Sequence, residues 1–488
     1  MSSVRVRIAP SPSGFLHIGT AKMALMNWLF ARQQGGTFIL RLEDTDAERT
    51  DEAFVQAMCD GFTWLGIDWD EGPAFGGEPE KGAYGPYRQS RRRDIHHAAG
   101  MRLVEEGTAY KCFCTKEELV SEREKSRMDD RAPRYSGKCR SLTPEAIAAK
   151  GNAPFVVRFK VPEGSTVVDD IVQGRIEVQN KEFDDFVILK PNGDPIFHLA
   201  VVVDDGEMGV THIIRGDDHL TNASRHVMLF NALGYPLPVM AHLPMVLDER
   251  GKKYSKRMHG ANVLDWRKDG YLPEALVNYV ALLGWNPGDE REVFTRAELL
   301  GAFSIKRLGQ SAATFDVKRL TWLNGQHIRM LSIEDLTDRI LPKLEDLGFD
   351  YSGKSRDWLL RLTEICQEKL TTLNDIERLA DFFFIEPHNY EEKAVRKQWV
   401  KPDAADRLTQ IRDTMASLEP WSIDAFRTAY NSMAESSGVS LGPYIHPTRL
   451  ALTGKSVGPG LFELAELLGK DACIARIERA IEYVQRLD

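Results

Sequence analysis

Apolar and polar positions alternate in two different rhythms along this chain, and the change of rhythm divides it. Val4, Val6 and Ile8 are separated by polar residues, the two-residue period of a strand on a sheet. A loop of Pro, Ser and Gly follows, then a helix predicted from about Thr20 to Gln34, closed by Gly35-Gly36, and a second strand from Thr37 to Leu42. Short apolar runs at 156–159, 176–178 and 186–189 predict strands of an α+β segment. Those at 199–203 and 212–215 read as fully buried strands of a returning parallel sheet. From about residue 260 the rhythm is helical as far as Leu487, with Pro273 at a first helical turn. The organisation is a doubly wound α/β sheet interrupted by an insertion, with a helical second half. The insertion would sit beside the ligand crevice at the carboxyl ends of the strands.

The first β–loop–α–β unit has the geometry of a nucleotide site. N–H groups at the helix start attract phosphate, His17 adds a donor there, and Gly19 leaves room for a ligand. Alone, His-x-Gly reads better as a random match or a packed surface histidine. Far downstream, Gly251-Lys252-Lys253-Tyr254-Ser255-Lys256-Arg257 follows the apolar run 243–247 and the polar turn Asp248-Glu249-Arg250. Glycine with clustered lysines suits a polyphosphate whose charge moves during reaction. In isolation it reads as a solvated basic turn.

Composition narrows the class. A chain of 488 residues exceeds one ordinary domain and suggests roughly three to five. Its 43% hydrophobic and 28% charged content fits a globular protein with an ample core. No apolar run approaches the roughly 20 residues that span a bilayer, so no membrane contact is expected. The first residues carry Arg5 and Arg7 without an apolar signal core, and the six cysteines are too few for a disulfide framework. Both point to a cytoplasmic protein. A formal net charge of −9 argues against nucleic-acid binding unless basic residues gather on one face, as Arg88 with Arg91, Arg92 and Arg93 would.

Together, His17-Ile18-Gly19-Thr20 and Lys253-Tyr254-Ser255-Lys256-Arg257 resemble the paired "HIGH" and "KMSKS" signatures of class I aminoacyl-tRNA synthetases. The run Ile8-Ala9-Pro10-Ser11-Pro12-Ser13-Gly14, with Arg41-Leu42-Glu43-Asp44-Thr45-Asp46, resembles the glutamyl and glutaminyl branch. Ser255-Lys256-Arg257 and Asp269-Gly270-Tyr271-Leu272-Pro273-Glu274-Ala275-Leu276 are similar to its bacterial-type glutamyl members. The resemblance covers nearly the whole chain, most strongly up to about residue 330. It implies an α/β Rossmann-type doubly wound catalytic domain (1–95 and 196–250) split by an α+β connective insertion (96–195) that holds the acceptor end of tRNA. A helical stem-contact domain with the KMSKS-like loop (251–330) and all-α anticodon-binding parts (331–388 and 389–488) would follow.

The implied activity is that of a monomeric glutamate–tRNA ligase using L-glutamate, ATP with Mg²⁺ and tRNA(Glu), with tRNA(Gln) as the alternative second acceptor. By resemblance, His17, Lys253 and Lys256 carry catalysis, and ATP meets His17, Gly19, Thr20, Lys253, Ser255 and Lys256. Arg7 and Arg215 would hold the side-chain carboxylate, for which guanidinium forks are suited. Glu43 would hold the α-ammonium, with Ala9 and Ser11 nearby. Phe197 forms an aromatic wall where relatives have a Tyr hydroxyl, and Lys369 stands in place of an anticodon-reading arginine.

Cys112-Phe113-Cys114 with Cys139 is the sole cysteine cluster, and thiolates suit zinc. Some glutamyl synthetases carry Cys-x-Cys…Cys-x-His here, but Ser141 stands at the histidine position. The related glutamyl-queuosine tRNA(Asp) synthetases instead use a Tyr four residues before the last Cys, matching Tyr135 and Cys139. The implied Zn²⁺ ligands are Cys112, Cys114, Tyr135 and Cys139; the alternative is three reduced cysteines without metal. Three rival functions stand beside the ligase. A tRNA-binding paralogue without catalysis would not need intact His17, Lys253, Lys256, Arg7 and Arg215. Neither the queuosine-modifying relative nor an unrelated nucleotidyltransferase needs the long helical second half.

Overall fold

The computed structural model describes residues 3–12, 14–45, 51–128, 134–254 and 262–487. Two compact units divide it: Met1–Trp266 with Leu276–Val317, and Arg267–Ala275 with Lys318–Asp488.

The first unit is built on parallel strands. β1 (Arg5–Ile8) pairs with β2 (Thr37–Leu40) in parallel, Arg5 opposite Thr37 and Ile8 opposite Leu40. The helix joining them, Ile18–Gln33, is buried along Ala24, Leu25, Leu29 and Phe30 and ends before Gly35, at φ +60°. That left-handed conformation is cheap for glycine, so the chain turns back at once. Three further strands form an antiparallel sheet: β3 (Ala109–Cys112), β4 (Val156–Phe159) and β7 (Val187–Leu189), in the order 3-4-7. β5 (Ser165–Asp170) and β6 (Gly174–Gln179) form a hairpin. β5 also reaches β9 (Val239–Leu243) in parallel at Asp170 and Met240, although it lies in the segment expected to form the insertion. β8 (His212–Gly216) pairs with β9 in parallel from His212 opposite Val239 to Gly216 opposite Leu243. The Thr211 N–H donates to the Arg5 carbonyl at 2.9 Å, which sets β8 beside β1.

Residues 199–203, expected as a buried strand, are helical. They belong to Phe197–Glu207, where Leu199, Ala200, Val201, Val202 and Val203 are all buried. An apolar run carries no period when every side is covered, so a fully enclosed helix and a central strand look alike in sequence. The first helix also begins earlier than expected, at Ile18.

The Phe197–Glu207 helix ends on two enclosed carboxylates. Asp204 accepts from Arg92 Nε at 2.6 Å, His96 Nε2 at 2.7 Å and Gln89 Nε2 at 2.8 Å. Asp205 accepts from Arg7 Nε at 3.1 Å and Arg41 Nη1 at 2.6 Å. Burial alone would raise the Asp204 carboxyl, but the His96 hydrogen bond and the Arg41 and Arg92 charges outweigh it, and its pKa falls. Burial of Asp205 is likewise outweighed, by Arg41 and Arg7. A depressed native pKa gives stability that is complete above the unfolded value, about 3.9, and is lost as pH falls through the native one. The melting temperature is therefore expected to drop as pH is lowered from 5 to 3. Asp204→Asn should cost about 3–5 kcal/mol at neutral pH and flatten that acid slope, as thermal melts across the pH series would register.

These pairs also correct the expected basic face. Arg92 is buried on Asp204, Arg88 pairs with Glu52, and Arg93 pairs with Asp194 at 2.7 Å. Three of the four cations are spent on internal partners.

In the second unit every described element after the helix Val317–Met330 is helical. In Ile333–Asp346, capped by Ser332, the buried Leu336, Ile340 and Leu344 recur every four residues. One continuous apolar core includes these three, Trp399, Leu408, Tyr444 and Val484, so it spans both helical parts expected from the sequence. Among the described residues no helix is long and apolar enough to cross a membrane.

Candidate active site

A cavity of about 330 Å³ opens at the carboxyl ends of β1, β8 and β9, where ligands sit in open parallel sheets. Arg7, Ala9 and Ser11 reach it from β1 and its loop, and His17, Gly19 and Thr20 from the first helix. Glu43 follows β2, Phe197 opens its helix, Arg215 lies near the end of β8, and Lys253 comes from further along; all four line the same cavity. Ser255 and Lys256 lie outside the described residues. Their described neighbours do not: Tyr254 lines the cavity, and Asn262 pairs with His17 in an isolated bridge.

His17 caps its own helix. Its Nδ1 accepts from the Gly19 N–H at 3.1 Å and the Thr20 N–H at 3.4 Å. A nitrogen that accepts is unprotonated, so in the neutral ring Nε2 carries the proton, 3.0 Å from Thr20 Oγ1. Two of the N–H groups expected to face phosphate are thus taken by the imidazole. A Cβ at Gly19 would stand 2.9 Å from the His17 ring, so the missing side chain makes room for the cap.

The charged groups are not equivalent. Arg7 is neutralised by Asp205, with Nε and Nη2 at 3.1 and 3.3 Å from its oxygens. Arg215 has no carboxylate partner among the described residues. Its Nε donates to His242 Nε2 at 2.9 Å, Nη1 to His226 Nδ1 at 3.2 Å, and Nη2 to the His219 carbonyl at 3.4 Å. Burial and then the nearby Arg7 charge push the Arg215 guanidinium down to about 10, which leaves it protonated at neutral pH. Glu43 takes one bond from Arg41 at 3.3 Å, and burial raises its pKa against the pull of Arg41 and Arg7. Lys253 Nζ lies 3.2 Å from Asp218 Oδ2.

Four further polar side chains line this cavity: Lys22, Asp218, His219 and Tyr254. Lys22 is fully buried, donates to the Pro244 carbonyl at 2.8 Å, and is lowered by burial to about 8. The polar run Gly216-Asp217-Asp218-His219 directly after a buried strand was the available signal for two of them.

Away from the cavity, Cys112, Cys114 and Cys139 bring their sulfurs within 4.8 Å of one another, a cluster compatible with zinc. Cys114 Sγ and Cys139 Sγ are 3.6 Å apart. Tyr135 Oη stands 3.3 Å from Cys112 Sγ and 3.8 Å from Cys114 Sγ. Donors placed tetrahedrally about 2.3 Å from one ion would lie roughly 3.7 Å apart, so the spacing fits.

Comparison with known proteins gives the class. Residues 3–322 match the family of tRNA synthetases class I (E and Q), catalytic domain, and residues 335–481 match an anticodon binding domain. The chain therefore belongs to the class I aminoacyl-tRNA synthetases of the E and Q family. Among its curated relatives, Glutamate--tRNA ligase 1 of Caldanaerobacter subterraneus subsp. tengcongensis is 44% identical over 99% of both chains. The Glutamate--tRNA ligase of Moorella thermoacetica is 42% identical over the same shares. A solved glutamate tRNA ligase from Elizabethkingia meningosepticum, in complex with its amino acid, superposes with a TM-score of 0.90. It is 33% identical, over 99% of this chain and 100% of that one.

Proposed function

We propose that this chain is a glutamate–tRNA ligase: it activates glutamate with ATP and passes the glutamyl group to the 3'-terminal adenosine of tRNA(Glu). The observation that carries the reading is the convergence of Arg7, Arg215 and Glu43 with His17 and Lys253 on one cavity. Two guanidiniums and one carboxylate complement a substrate with an acidic side chain and an α-ammonium group.

Attack of the α-carboxylate on the α-phosphorus of ATP needs positioning and charge stabilisation, with no protein nucleophile. Arg215 grips the side-chain carboxylate, aided by Arg7, and Glu43 takes the ammonium beside Ser11 and Ala9. Phe197 walls the site without a hydroxyl; one lost hydrogen bond is worth about 0.5–1.5 kcal/mol net. His17 presents the Nε2 proton to a phosphate oxygen. Lys253 exchanges Asp218 for the pyrophosphate, and Lys256 shares the charge that builds there. Magnesium would be bound with ATP, as part of that substrate, and would screen its phosphate charge. In the domain scheme, 1–95 and 196–250 form the split catalytic domain, 96–195 the connective insertion and 251–330 the stem-contact domain. The parts 331–388 and 389–488 bind the anticodon.

Charging purified tRNA(Glu) and tRNA(Gln) separately with labelled glutamate tests the reading. Charging of tRNA(Glu) is expected, and failure with both tRNAs overturns it. Lys369 is exposed just beyond the Arg356–Gln367 helix, and lysine cannot form the planar fork of arginine. The tRNA(Gln) arm reads the consequence directly.

Zn²⁺ would be held by Cys112, Cys114, Cys139 and Tyr135 and would staple the inserted sheet. Protein purified without added zinc is expected to carry about one equivalent, and Cys114→Ser to lose it. Metal-free wild-type protein would instead support three reduced thiols.

A further inference from the structure

Arg215 is held from behind by a hydrogen-bonded chain from four other elements. Asp170, at the end of β5, fixes it on one side: Oδ2 is 2.6 Å from His242 Nδ1, and His242 Nε2 accepts from Arg215 Nε. On the other side His226 Nδ1 accepts from Arg215 Nη1, and His226 Nε2 is 3.1 Å from His198 Nδ1. A guanidinium only donates, so each facing imidazole nitrogen must be a lone pair and its other nitrogen must carry the proton. Both rings are therefore neutral acceptors, with tautomers set by Asp170 and by His198. Burial, followed by the Arg215 charge, keeps His226 well below the ordinary histidine range. Burial, then Arg225 and Arg215, pushes His198 down to about 4. Arg7, His219, Glu43 and Asp205 are the other charged or titratable groups around Arg215.

We propose that Asp170, His242, His226 and His198 are positioning residues that hold Arg215 as an unneutralised cation, making the substrate's side-chain carboxylate its first direct counter-ion. Neutral acceptors fix the direction of the fork without quenching its charge. Arg7, already paired with Asp205, cannot supply the same selectivity. Glutamine, with a neutral amide, leaves the buried charge uncompensated and is refused. This inference rests on the reading of the cavity as a glutamate site.

His226→Gln and His226→Glu form an isosteric pair that separates charge from shape. In the first, an amide oxygen accepts from Arg215. In the second, a carboxylate neutralises it. KM for glutamate is expected to be about 100-fold higher in the Glu variant than in the Gln variant, with KM for ATP alike in both. Glutamine should become the stronger competitive inhibitor of the Glu variant, because its amide can donate to the new carboxylate. Equal glutamate KM in the two, or a parallel shift in KM for ATP, overturns the proposal. Asp170→Asn decides the matter if His226→Glu does not fold. Asp170 Oδ1 accepts the N–H groups of Val172, Gln173 and His242, so an asparagine must turn its NH₂ toward His242 Nδ1. That reverses the tautomer and sets an N–H against Arg215 Nε. Glutamate KM should then rise roughly tenfold with KM for ATP unmoved, and an unchanged KM overturns the proposal. Wild-type protein that fails to charge glutamate at all would overturn the glutamate reading instead.

Discussion

Arg215→Leu is expected to lower kcat/KM for glutamate by about 30- to 4,000-fold, with KM for ATP little changed. Removing one partner of a buried, hydrogen-bonded charge pair costs about 2–5 kcal/mol, and each 1.4 kcal/mol is tenfold. Here the loss is compounded. The substrate carboxylate is left in a pocket whose other guanidinium, Arg7, is already engaged by Asp205, and His242 and His226 lose the donor they face. Arg7→Leu should behave differently. Asp205 keeps Arg41 at 2.6 Å, but a β1 anchor is gone, so the melting temperature should fall together with glutamate affinity. Steady-state kinetics with glutamate and ATP varied separately, alongside thermal melts, distinguish the two arginines. A comparable rise in both Michaelis constants for Arg215→Leu would mean that it acts on the whole site and not on the amino acid.

The difference between these arginines was not legible in the sequence, although both were. By resemblance, motif position makes Arg7 and Arg215 the expected carboxylate ligands. What distinguishes them comes from Asp170, His198, Asp205, His226 and His242, which lie on separate elements and meet only when the sheet is assembled. Local signals fared better. The alternation ending at Ile8, the Gly35-Gly36 stop and the run after His212 all mark real boundaries, because each reflects a short-range constraint on burial or φ. The run 199–203 misled because total enclosure erases periodicity. The arginines at 88, 92 and 93 suggested an open basic face because their partners Glu52, Asp204 and Asp194 are distant in the chain. The clustering of Cys112, Cys114 and Cys139 held, since short spacings and one closing turn were enough.

Lys256→Ala is expected to reduce the rate of adenylate formation by about 10²–10³, equivalent to roughly 2.7–4 kcal/mol of barrier, which is the cost of removing one preorganised contact to developing charge. Lys256 itself lies outside the described residues, and the expectation rests on what flanks it. Upstream, Lys253 and Tyr254 line the cavity, and the Tyr254 ring stacks on Phe315 with centroids 4.7 Å apart. Downstream, Asn262 pairs with His17, and the Val263 N–H donates to the Leu16 carbonyl at 2.8 Å. The segment that carries this lysine is thus flanked by residues fixed at the cavity upstream and at His17 downstream. If Lys256 acts on the pyrophosphate as proposed, its loss should appear in kcat and leave glutamate KM and tRNA affinity near wild-type values. Pyrophosphate exchange in the presence of tRNA measures the first, and filter binding of labelled tRNA the last. Lys256→Arg, which keeps the charge, should recover part of the rate. Exchange by Lys256→Ala at the wild-type rate would remove this residue from the chemistry and leave Lys253 as the cation that acts on the leaving group.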